Sequence, residues 1–138
     1  PLLFHAIYGV YIAFTAKSNV GNYGFFRNWM FVLQRATGII TFIFVVWHVW
    51  ETRMQVALGK DTVDYNMMVD ILSNPAMLAF YIIGVVAAVF HFANGLWTFC
   101  ITWGITVSQR SQQINTYVTM AIFLILSYVG VTALLAFV

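Results

Sequence analysis

The sequence predicts an all-α bundle of transmembrane helices, and three observations carry that expectation. Of 138 residues, 62% are hydrophobic and only 7% are charged, against roughly a quarter charged in a soluble domain. The mean hydropathy is +0.88, concentrated in four apolar runs that read as membrane helices rather than buried strands. Five Trp and seven Tyr suit the two membrane–water interfaces. A soluble globule is excluded. So is disorder, which needs low hydrophobicity and high charge.

Each run has its own boundary signals. The first covers residues 1–16 and closes at Lys17-Ser18-Asn19, followed by Gly21 and Gly24. Its sixteen residues fall short of the roughly 20 that span a bilayer. The chain opens on Pro1, with no Met and no charged signal-peptide start. It is therefore expected to begin part-way through a helix, as a fragment of a longer protein. The second run, 29–50, is bracketed by Trp29 and Trp50. The third, 76–103, holds no charge and is entered through Ser73-Asn74-Pro75, a helix-start signal. The fourth, 116–138, is also uncharged. All four belong to one transmembrane domain, 1–138.

Charge in the connections gives an orientation. Residues 17–28 hold Lys17 and Arg27 with no acid, and residues 104–115 hold Arg110 alone. Residues 51–75 hold Glu51, Asp61, Asp64 and Asp70 against Arg53 and Lys60. Basic residues favour the cytoplasm, so loops 17–28 and 104–115 are expected inside. Loop 51–75 and the C-terminus are expected outside. The net charge of +2 and the lack of a basic stripe exclude a nucleic-acid partner. The one cysteine, Cys100, sits in an apolar run and reads as a small buried hydrophobe.

The histidines carry the chemistry. His5, His48 and His91 are the only three, and all fall inside predicted spans. An ionisable residue at membrane depth is costly and marks a functional candidate. His5 and His91 share a pattern, Phe-His-x-x-x-Gly-aliphatic-aromatic, that places Gly9 and Gly95 on the histidine face of each helix. A flat macrocycle bound through the imidazole needs that clearance; close helix packing is the other use of such a glycine. His5 lies 12 residues before Lys17 and His91 lies 12 before Trp103. At 1.5 Å per residue both sit roughly 18 Å from the inner boundary, on helices that run the same way. His48, three residues before Glu51, sits near the outer face, roughly 10–20 Å from that pair.

Two ligands at one level and one at another suggest bis-histidine haem b, non-covalent because Cys-x-x-Cys-His is missing. His5 and His91 would hold one haem, and His48 a second whose partner histidine precedes Pro1. Zinc would need three or four ligands at one depth, and no Cys, Asp or Glu is placed to complete such a set. Arg35, about six residues into its span, either snorkels or reaches a haem propionate or a quinone. Lys17, Arg27 and Arg110 read as ordinary topology charges. Glu51 reads as an interfacial carboxylate, with proton carriage at the outer site as the alternative.

The blocks FHAIYGVYIAFTAK, FRNWMFVLQRATGIITFIFVVWHVWETR, FHFANGLWTFCITWGITVSQRS and ALLAFV resemble the cytochrome b membrane anchor of succinate dehydrogenase of the Gram-positive, two-haem, menaquinone-reducing type. The resemblance runs through essentially the whole chain. It implies five transmembrane helices in the full-length protein, so that this chain starts within the second. It also implies a proximal haem b ligated by His5 and His91, and a distal one ligated by His48 and a histidine of the absent first helix. Electrons from flavoprotein and iron–sulfur partner subunits would pass to menaquinone near the distal haem, in a bacterial cell membrane. No GxGxxG, P-loop or cysteine cluster is present, so the succinate site and its flavin are expected on partner chains. Three rivals stay open: the anchor of a hydrogenase or formate dehydrogenase, a transporter with a histidine proton relay, and an anchor without redox centres.

Overall fold

The computed structural model describes all 138 residues as helices and short connections, with no strand. Helix α1 spans Leu2–Thr15 and α2 spans Phe26–Val49. A π-helical segment, Trp50–Met54, continues α2 without a break into the three-residue α3, Gln55–Ala57. Helix α4 spans Tyr65–Leu72, α5 Pro75–Thr102 and α6 Gln109–Leu135. The rod Phe26–Ala57, α5 and α6 are each long and apolar enough to cross a membrane, and α1 is a shorter apolar helix.

Local chemistry explains the helix ends. Asn74 caps α5 through the Ala76 amide, and Pro75 sits in the first turn, where its missing N–H costs nothing. Ser108 and Ser111 close a reciprocal capping box on α6. That cap starts α6 seven residues before the apolar run predicted from Thr116, because the polar turn Gln109–Asn115 is helical too. The rod that α2 begins likewise runs past Trp50, to Ala57. The connection 51–75, read from hydropathy as a plain loop, contains α4, capped by Asp64 through the Met67 amide.

Helices α2, α5 and α6 pack in sequence order with alternating direction. Gln34 meets His91 while His48 meets Tyr81, so α2 and α5 are antiparallel. Trp97 meets Gln112 while Phe90 meets Phe123, so α5 and α6 are antiparallel as well. Helix α1 packs on α2. Only nine residues are buried, and large apolar side chains cover the outside, as suits a bundle whose outer solvent is lipid. The tightest core lies at one end, where Phe44 of α2, Leu72 of α4, Tyr81 of α5 and Leu134 of α6 converge. The C-terminus meets the same end: Tyr65 donates to the Ala136 carbonyl and stacks near Phe137.

Candidate functional site

Two histidine levels occupy the bundle. At the first, His5 of α1 and His91 of α5 bring their rings to 6.2 Å between centroids, nearly perpendicular at 78°. The His91 Nδ1 lies 3.0 Å from the Gln34 carbonyl oxygen. A carbonyl can only accept, so neutral His91 carries its proton on Nδ1 and presents the lone pair at Nε2. Gln34 closes a reciprocal clasp by donating from Nε2 to the His91 carbonyl, 3.1 Å. Asn94 steadies that clasp, donating to Gln34 Oε1 at 2.8 Å and to the Met30 carbonyl at 3.4 Å.

At the second level His48 stacks on Phe44, ring centroids 5.8 Å apart, and its Nδ1 lies 3.3 Å from the Tyr81 hydroxyl. Tyr81 in turn donates to Glu51 Oε2 at 3.0 Å, and Trp47 Nε1 donates to the same oxygen at 3.1 Å. A carboxylate only accepts, so the single Tyr81 proton points to Glu51 and its oxygen faces the His48 Nδ1–H. Nε2 is again left as the lone pair. The π-helical turn begins two residues past His48, and the Thr52 hydroxyl donates to the His48 carbonyl at 2.6 Å. Such turns within α-helices recur at functional sites. Ten residues separate Gly38, which faces His91, from His48, so the two levels stand about 15 Å apart along α2.

Clearance comes from across the helix interface as well as along each helix. A Cβ at Gly38 would lie 3.0 Å from His91 Cε1, so α2 gives up a side chain where the imidazole lies. A Cβ at Gly84 would run into the Phe44 ring on which His48 stacks. Gly9 faces open space, and a Cβ at Gly95 would rest 3.6 Å from Gln34 Nε2, an ordinary contact. No three His, Cys, Asp or Glu side chains gather in one place. His91 and His48 thus each have Nδ1 anchored and Nε2 unengaged, the arrangement in which a histidine can bind a metal.

The chain matches the family described as the succinate dehydrogenase/fumarate reductase transmembrane subunit over residues 14–130. It belongs to that family. Along its whole length it is 64% identical to the succinate dehydrogenase cytochrome b558 subunit of Bacillus subtilis (strain 168), and it covers 68% of that protein. No solved structure matches it.

Within this family member the arginines are placed as follows. Arg35 donates from Nη1 to its own helix at Phe31 and lies over the Phe31 ring, while its buried Nε has no partner. Arg27, expected as a loop charge, sits in the first turn of α2. Its guanidinium lies 3.2 Å above the Trp97 ring centre and hydrogen-bonds Thr116 of α6. Sequence reasoning did not single out Gln34, Asn94, Gly38, Tyr81 or Gly84. Gln34 and Asn94 carried a usable signal, since uncharged amides inside apolar spans imply a partner on another helix. Glu51, read as an interfacial carboxylate, is tied through Tyr81 to His48.

Proposed function

We propose that this chain is the haem b-bearing anchor of a succinate:menaquinone reductase. His5 and His91 hold one haem, and His48 holds a second with a histidine from a preceding helix. The observation that carries this reading is the pair of anchored imidazoles. His91 and His48, on different helices and about 15 Å apart, each have Nδ1 hydrogen-bonded and Nε2 free, and His5 faces the first of them. The cytochrome b558 name of the Bacillus subtilis relative supports haem. When bound, haem supplies reversible one-electron transfer at its iron.

The protein's part is to orient and insulate. Gln34 and Tyr81 fix which imidazole nitrogen faces the metal. Gly38 admits the His91 ring, and the apolar helix faces keep water from the ligands. Arg35, one residue from Gln34, keeps its Nε for an oxygen of a propionate or of the quinone. Flavoprotein and iron–sulfur subunits supply the electrons, and succinate is oxidised on those chains. We place loops 17–28 and 104–115 in the cytoplasm. Loop 51–75, the C-terminus and the His48 level then lie toward the outside, where menaquinone is reduced.

A His48→Leu variant of the complex, with assembly checked, tests this reading. We expect loss of one of two haems and at least a tenfold fall in the ratio of quinone-linked to artificial-acceptor activity. Succinate oxidation with a water-soluble acceptor should survive. Two retained haems and an unchanged ratio would contradict it.

A further inference from the structure

We propose that Tyr81 and Glu51 are positioning residues for His48, locking its tautomer and strengthening it as a ligand, and thereby lowering the redox potential of the haem it holds. This rests on the haem role of His48 given above. The two histidine levels are anchored by acceptors of different kinds. His91 donates to a neutral main-chain carbonyl. His48 donates to a hydroxyl whose own proton is committed to a carboxylate. Hydrogen bonds in a chain polarise one another, so the Glu51 charge is felt at the imidazole through the Tyr81 oxygen. A histidine whose second N–H meets a stronger acceptor becomes a more basic ligand. A more basic ligand favours ferric over ferrous iron, which lowers the potential.

The geometry leaves this relay little freedom. Tyr81 is 1% exposed, enclosed by Phe44 edge-on at 5.3 Å, by Phe80, and by Leu72 and Leu134 of the core cluster. Its hydroxyl has His48 and Glu51 as its partners. Glu51 is held by a second donor, Trp47 Nε1, on the same oxygen that takes the Tyr81 proton. All four residues stand within one stretch of the α2 rod and the facing turn of α5. A tyrosine kept only to fill the core needs its ring, not its hydroxyl, and that difference makes the role testable.

The experiment uses the intact complex with Tyr81→Phe and Glu51→Gln variants. The readouts are haem content, redox titration of the b spectrum, and the low-temperature electron paramagnetic resonance of the ferric haems. The spectral component lost in His48→Leu is the one followed, and the component lost in His91→Leu serves as internal reference. In Tyr81→Phe the followed component should move to higher potential with an altered low-spin signal, while the reference stays fixed and both haems are retained. Glu51→Gln, which keeps the hydrogen bonds but removes the charge, should move it the same way by less. Unchanged potentials and signals in both variants, with both haems present, would overturn the proposal and leave the haem role of His48 standing. Should Tyr81→Phe fail to assemble, Glu51→Gln decides alone, and an unshifted component overturns the proposal. If His48→Leu itself keeps both haems, the haem role has failed, and the proposal with it.

Discussion

The His91 and His48 levels are built on the same two helices, yet they hold their imidazoles by different means. At His91 the contacts are amide and main chain: Gln34 clasps the α5 backbone, Asn94 donates back to α2, and Gly38 yields space to the ring. At His48 they are aromatic and acidic: Phe44 stacks, Tyr81 bridges and Glu51 anchors. The first level also has its second imidazole in place, and its partner helix α1 has no buried residue. The second lies beside the densest core of the molecule, sealed by α4 and the end of α6. The two levels therefore differ in rigidity and in the charge behind the imidazole. Position in the bundle, more than ligand type, sets how much a neighbouring substitution should matter.

The largest effect expected from disturbing this contrast is the loss of a whole haem. His91→Leu should remove the haem of its own level and leave the His48 component intact, read as a halved haem-to-protein ratio. The glycines should separate the levels next. Gly84→Ala pushes a methyl into the Phe44 ring, which Tyr81 and Phe80 hold in place. Overpacking of that kind costs roughly 1–3 kcal/mol, to be read as a lower midpoint in detergent unfolding. Gly38→Ala asks His91 to give by only a few tenths of an ångström, so it should perturb the His91-level spectrum more than stability. Equal stability losses for the two glycine variants would erase the distinction between a rigid and a yielding level. The smallest effect is expected from Asn94→Ala, which removes two interhelical hydrogen bonds. Such bonds are worth only roughly 0.6 kcal/mol each within a membrane, so the unfolding midpoint should move slightly.

Much of this is legible in the sequence. Apolar run length marks the long helices, because lipid forces every backbone polar group into internal bonds, but charge does not end them: the α2 rod runs on through Glu51, and α6 already contains Arg110. The shared depth of His5 and His91 follows from helical rise alone, and the rings do meet. Helix α4 was missed because hydropathy averages over its charged flanks. Its Met67, Met68, Ile71 and Leu72 nonetheless repeat at helical spacing behind the Asp64 cap. The Tyr81 and Gln34 partnerships join residues 33 and 57 positions apart in the chain. Spacing along one helix cannot specify which turn of a neighbour it will face. The sequence pattern shows glycine only on the histidine's own helix, whereas packing also draws clearance from the opposing one, at Gly38 and Gly84.

The two-level arrangement itself is tested most directly by one redox titration of the b spectrum, run on complexes carrying His5→Leu, His91→Leu and His48→Leu. His5→Leu and His91→Leu should each delete the same component, and His48→Leu should delete the other one. Deletion of different components by the first two, or of the same component by all three, would contradict it.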